Sequence, residues 1–166
     1  MKTGTVLIGL GNPLLRDEGI GVHLERALAA SHAKKTSGLG SSSYPQPVEF
    51  LDLGTASFRV LHAIAGKARA LFIDCALMEE APGTLRRFTL DEVRTRKSLP
   101  QLSLHEGDLL HTLDLAQKIE ECPPTVVIFG IQPEDISPGE ALSPALTASF
   151  AEYVRAIEEE INFRNQ

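Results

Sequence analysis

The sequence predicts a three-layer α/β/α sandwich around a five-stranded mixed sheet, with the fourth strand antiparallel to the others. Three observations carry this. Short, apolar, often β-branched runs end abruptly in glycine or aspartate, as strands buried on both faces do. Between them lie stretches with apolar residues at helical spacing. One connector between strands is too short for a helical crossover, so the sheet cannot be wholly parallel.

Thr5-Val6-Leu7-Ile8-Gly9 is the first such strand. A polar turn, Asn12 to Asp17, leads into a helix expected from Asp17 to Ser31, with Ile20, Leu24, Ala27 and Leu28 on its apolar face. Asp17 and Glu18 at its start suit the positive end of the helix dipole. The Ser/Gly/Pro-rich stretch Ala33 to Pro47 reads as a surface loop. Val48 to Leu51 is the second strand. Thr55 or Ser57 is expected to cap a helix bearing Phe58, Leu61 and Ile64, ended by Gly66. Ala70 to Ile73 is the third strand, with Asp74 at its C-terminal end, and Thr84 to Phe88 the fourth. Only Cys75 to Gly83 joins these two, with Pro82-Gly83 inside it, so the fourth strand runs antiparallel. A helix from near His105 to Glu121 turns Leu109, Leu110, Leu113 and Ala116 inward. Thr125 to Gly130 is the last strand. Ser143-Pro144 is a favoured N-cap and N1 pair for a final helix striped by Leu146, Phe150, Val154, Ile157 and Ile161.

At 166 residues the chain reads as one domain, residues 1–166, without internal repeats. Cys75 and Cys122 match no metal or redox spacing, as in a reduced cytoplasmic protein. No run approaches the roughly 18 apolar residues of a membrane helix. The short apolar start, Met1 to Leu10, is not built as a signal peptide. The expectation is therefore a cytoplasmic protein with no membrane partner. With 16 Lys and Arg against 22 Asp and Glu, the net charge of −6 argues against nucleic acid and suits a basic partner.

Ligands of such folds gather beyond the C-terminal ends of the strands. That rim holds Asn12 to Glu18, Asp52 to Thr55, Asp74-Cys75 and Gly130 to Glu134. Gly9-Leu10-Gly11 after a strand invites a dinucleotide reading, but Leu14 stands where the third glycine belongs. Asp17 and Glu18 would also repel a pyrophosphate, so no tightly bound organic cofactor is expected. His105 and His111 are six apart rather than four, which excludes a zincin pair, and there is no Gly-x-Ser-x-Gly elbow. His23 and His62 fall on helix surfaces. Cys75 could be a nucleophile, but a buried core thiol is the commoner use of such a residue.

The run Gly9-Leu10-Gly11-Asn12-Pro13-Leu14-Leu15-Arg16-Asp17-Glu18-Gly19-Ile20-Gly21 resembles the opening signature of the hydrogenase maturation endopeptidases. Further along, Asp52-Leu53-Gly54-Thr55, Ile73-Asp74-Cys75-Ala76, Pro82-Gly83-Thr84, Ser103-Leu104-His105 and Gly130-Ile131-Gln132-Pro133-Glu134 with Leu142-Ser143-Pro144 are similar to later segments of that family. The resemblance implies that Glu18, Asp74 and His105 contact metal and carry catalysis. Two carboxylates and an imidazole are too few to close a metal site. The implied metal is a nickel ion supplied by the substrate, the precursor of a nickel–iron hydrogenase large subunit, whose C-terminal extension is removed. Either nickel activates water or polarises the scissile carbonyl, or it only positions the tail while Asp74 or Glu18 acts as base. Asp52, Gly54 and Thr55 are expected to shape the substrate cleft, and Pro133 to Pro138 its rim.

Each residue has a plainer use: Asp17-Glu18 as dipole compensation, Asp74 capping a turn, His105 opening a helix. Their common placement on one rim favours function. Two other readings stand beside the peptidase. Gly-Leu-Gly-Asn-Pro also opens the peptidyl-tRNA hydrolases, but His23 sits within helical periodicity and no Arg-His-Asn-x-Gly segment follows. A non-catalytic nickel-sensing protein of the same fold is the other.

Overall fold

A computed structural model describes residues 1–39, 44, 46–95, 101–102 and 106–163. Strand β1 (Thr5–Leu10) leads through a 3-10 turn (Arg16–Gly19) into α1 (Ile20–Leu39) and β2 (Val48–Gly54). A second 3-10 turn (Ser57–Arg59) and the short α2 (Val60–Ile64) precede β3 (Arg69–Leu77) and β4 (Leu85–Thr89). Then follow α3 (Leu90–Thr95), β5 (Gln101–Leu102), α4 (Glu106–Lys118), β6 (Thr125–Ile131) and α5 (Pro144–Asn162). The sheet order is β2-β1-β3-β6-β4. The first four of these run parallel, and β4 is antiparallel to β6, with Phe88 opposite Ile128. The expected five-stranded mixed sheet is therefore present. The two-residue β5 adds a short antiparallel pairing to the end of β3, Ala76 opposite Leu102.

The central strands read as unbroken apolar runs because they are covered on both sides. Alternate residues divide cleanly between the two faces. Val6, Ile8, Ala70, Phe72, Val126 and Ile128 pack with Val60, Ile64, Leu109, Leu113 and Ala116 of α2 and α4. Leu7, Leu71, Ile73, Val127 and Phe129 pack with Leu24, Leu28, Leu146 and Ile157 of α1 and α5. Each large side chain fully buried in this way contributes roughly 1.5–3 kcal/mol.

Several expectations need correction. Asp17 and Glu18 lie in the 3-10 turn, and α1 begins only at Ile20. It then continues to Leu39 through residues read as loop. Ala33, Lys34 and Lys35 are good helix formers. Lys35 pairs with Glu158 of α5 at 3.0 Å, and the Thr36 hydroxyl donates to the carbonyls of His32 and Ala33. Neither Thr55 nor Ser57 caps a helix through its side chain, and the segment is two short pieces rather than one helix. Val60 and Ile64 form its inward face, while Phe58 is 80% exposed. β3 continues three residues past Asp74 because β6 and β5 both offer it partners. In α5, Ser143 is the N-cap as expected, accepting from Leu146 N. Phe150 and Val154 are only half-buried. Tyr153, missing from the expected stripe, is buried and donates to Gly83 O at 2.7 Å, fastening the turn before β4. Among the described residues, no helix is long and apolar enough to cross a membrane.

Candidate functional site

The site lies where β1 and β3 end. Beyond Leu10 the chain turns at Gly11, whose φ of 120° belongs to glycine's range. Gly11 N donates to Gly54 O at 2.9 Å, tying the ends of β1 and β2 together. A Cβ at Gly11 would overlap the carbonyl oxygen of Glu18 and stand 3.7 Å from Asp74 Oδ1. Three segments thus meet over one position with no side chain. Gly21 has a similar role one turn later: a Cβ there would collide with the carbonyls of Leu10 and Ile73, so α1 starts pressed against the ends of β1 and β3.

Glu18, on the 3-10 turn, is 4% exposed, and Asp74, opposite Gly130 in β3, is 2% exposed. Two acidic residues are therefore withdrawn from water beside the Gly11 turn, Glu18 through a segment whose backbone carbonyl meets Gly11 and Asp74 with its carboxylate close to it. The neighbouring Cys75 registers their field. Its thiol is pushed far up, first by burial and then by the charges of Asp74, Glu18 and Asp17. Cys75 is consequently a protonated core thiol at neutral pH rather than a nucleophile, in line with its reading from sequence.

From the sequence alone, Asp17 is expected to compensate the helix dipole; the structure gives it a different part. It is fully buried, and its Oδ2 accepts from Glu134 N and Asp135 N at 2.9 and 3.0 Å, its Oδ1 from Ser143 N at 2.8 Å. Backbone bonds return the tie: Asp17 N to Asp135 O, Arg16 N to Gly139 O and Gly139 N to Leu14 O. The loop after β6 is thus fastened to the turn that carries Glu18. Nothing in the sequence distinguished this carboxylate from its neighbour, because its partners are backbone amides over a hundred residues away.

Asp52, two residues before the end of β2, has a dual role. Its Oδ1 accepts from Gly54 N at 3.1 Å, shaping the turn, and its Oδ2 pairs with Arg26 of α1 at 2.8 Å. Gly54 has a φ of 52°, and Thr55 is exposed at the rim. Behind this corner, Glu25 is 4% exposed. Burial and then Asp52 raise its carboxyl above the ordinary value, with Arg26 opposing. The half-buried His23, expected on the surface, is lowered by burial and by Arg26 and raised in part by Asp52. His105 lies outside the described residues. Among the described residues, no group of three His, Cys, Asp or Glu side chains is arranged to hold a metal. The structure thus brings Glu18 and Asp74 to one recess and leaves Asp52, Gly54 and Thr55 on its flank. Paired, shielded carboxylates of this kind suit a hard or borderline cation, or removal of a proton from water.

Comparison with known proteins agrees with this architecture. A family model described as hydrogenase maturation protease matches residues 23–160, a span that includes Asp74 and begins beyond Glu18. The Hydrogenase 2 maturation protease of Escherichia coli is 29% identical over 144 residues, covering 86% of this chain and 81% of that protein. The hydrogenase expression/formation protein HupD of Rhodobacter capsulatus is 28% identical, covering 92% of this chain and 70% of its own. Among solved structures, the hydrogenase maturating endopeptidase HybD from E. coli superposes with a TM-score of 0.77 at 27% identity, over 96% of this chain and 91% of that one.

Proposed function

The chain belongs to the hydrogenase maturation protease family, and on that premise we propose that it trims the C-terminal extension from the nickel-loaded precursor of a hydrogenase large subunit. It is an endopeptidase of that family; the nickel, the tail and the residues are the proposal. The observation that carries it is the pair of buried carboxyl residues, Glu18 and Asp74, gathered around Cys75 beside the Gly11 turn.

Nickel enters as part of the substrate. Glu18 and Asp74, with His105 as third donor, contact the ion where it sits in the precursor and so bring the tail to the rim. An O/O/N set leaves positions for ligands that the precursor itself supplies. Asp74, Glu18 and Asp17 all lie close enough to Cys75 to act on its thiol, so three acidic side chains share this corner of the fold. The peptide bond is then hydrolysed by water. Its oxygen adds to the scissile carbonyl carbon, a carboxylate of the pair accepts its proton, and that proton passes to the leaving nitrogen as the C–N bond breaks. Asp52, Gly54 and Thr55 flank the same recess and hold the extended tail. Both cysteines are free, which suits action in the cytoplasm.

The test is gel mobility of a purified large-subunit precursor with and without nickel. The loaded precursor should shift to the trimmed form, while nickel-free precursor should remain uncut. Equal trimming of both would remove nickel recognition and leave the peptidase. Full trimming by Asp74→Asn would remove the site assignment.

A further inference from the structure

The recess is surrounded by apolar side chains that stand out into water. Phe58 is 80% exposed, Leu14 60%, Ile136 47% and Leu77 44%. They are not scattered. In the sheet order β2-β1-β3-β6, each of the four parallel strands presents one of them at or just beyond its C-terminal end: Phe58, Leu14, Leu77 and Ile136. The row is also held in place by backbone bonds. Gly54, before Phe58, accepts from Gly11. Leu14 accepts from Gly139, and Asp135, next to Ile136, accepts from Asp17. Exposed apolar residues held on a rigid frame and gathered at one end of a sheet mark a contact surface rather than incidental exposure.

Charge narrows the partner. The same segments carry Glu79, Glu80, Glu134, Asp135 and Glu140. Arg86 pairs with Glu80 and Arg16 with Asp135. Among the described residues, Glu79, Glu134 and Glu140 form no ion pair, and Arg59 is an exposed cation beside Phe58. Among the described residues the row is thus apolar with a mainly acidic surround, and Glu18 and Asp74 are buried behind it.

We propose that Leu14, Phe58, Leu77 and Ile136 form the docking face for the protein substrate, taking an apolar patch flanked by Lys and Arg on the body of the precursor. This rests on the endopeptidase reading above. It adds that partner choice is made by apolar contact at the rim, separately from the chemistry at Glu18 and Asp74. Phe58 is the expected anchor, since aromatic side chains are enriched among the few residues that carry most of the binding energy of an interface.

The experiment is trimming rate against concentration of nickel-loaded precursor, with Kd measured in parallel on the full chain. Phe58→Ser and Ile136→Ser should each raise KM and Kd about 5- to 10-fold, the loss falling on KM rather than kcat. Their combination should raise both at least 30-fold if the two contacts are independent. Glu134→Gln with Glu140→Gln should raise KM two- to threefold and flatten its dependence on salt. Leu115→Ser and Ile119→Ser are the controls. These residues are also exposed but lie at the far end of α4, by the start of β6, and should change neither constant. Unchanged KM and Kd in both rim variants, with the parent trimming normally, would overturn the docking face alone. Equal weakening by the α4 variants would overturn its location. A parent that neither binds nor trims any large-subunit precursor would overturn the function and the docking face together.

Discussion

The carboxylate of Asp17 accepts three backbone N–H groups and is fully buried, so its neighbours are arranged for an anionic acceptor with no hydrogen of its own. Asp17→Asn would turn an amide N–H₂ toward at least one of those donors. Leaving a buried donor unsatisfied costs roughly 1–3 kcal/mol, so this variant should melt clearly below the parent. Glu18 sits one residue later, buried near Cys75, and is the residue the proposal assigns to the chemistry. Glu18→Gln should therefore reduce trimming at least 100-fold while the melting temperature stays within a degree or two. Thermal melting and precursor trimming, measured on both variants, separate the two roles. Glu25 differs again. Burial lifts its carboxyl above the ordinary glutamate value, so charging it costs folding energy as pH rises through and beyond that range. Glu25→Gln should accordingly melt above the parent at pH 7. The gap should close as pH falls below the ordinary carboxylate range, where both states are protonated.

At the level of single elements, α5 shows how a helix is held at both ends. Its first turn is satisfied by Ser143, and Ser143→Ala should cost about 1 kcal/mol in a denaturant titration. At its other end Arg69 of β3 donates to the carbonyls of Glu160 and Phe163 and pairs with the Glu160 carboxylate at 2.8 Å; Arg87 of β4 reaches the same carboxylate at 2.7 Å. Burial alone would raise the Glu160 carboxyl, but the hydrogen bonds and charges of Arg87 and Arg69 outweigh it and hold it below the ordinary value. A lowered carboxyl stabilises the fold above the unfolded-state pKa, and that stability is lost as pH falls through the lowered value. Glu160→Gln should cost about 1.5–3 kcal/mol at pH 7, where it removes the charged partner of both arginines, and progressively less in acid. The short second helix is the opposite case. Without a side-chain cap it breaks into a 3-10 turn and five α-helical residues, which puts Phe58 outward instead of inward.

Across the whole molecule, the sheet brings together residues that are distant in sequence. Glu18 and Asp74 come from different strand ends that adjoin only because β1 pairs with β3. The loop after β6 closes over them through Asp17. Gly21 lets α1 approach both strands, so Gly21→Ala should force the helix away from the sheet and lower stability by several kcal/mol as well as activity. Melting and trimming would fall together in that variant, unlike in Glu18→Gln.

By itself the sequence determined the layer architecture, the antiparallel fourth strand and the segments that form the rim. These follow from local signals: apolar runs of strand length, helical spacing, and a connector too short to cross over. The glycine-rich signature likewise placed Glu18 as a candidate, and the later segment Ile73-Asp74-Cys75-Ala76 placed Asp74, because residue types and their order are local facts. Only the tertiary structure decided that Asp17 is a structural acceptor, that Cys75 lies in the field of three carboxylates, and that α1 runs on through a Ser- and Gly-containing stretch. Only there, too, do Leu14, Phe58, Leu77 and Ile136 appear as one row. Hydrogen-bond satisfaction, burial and exposure depend on which distant segments meet, and no window along the chain contains that information.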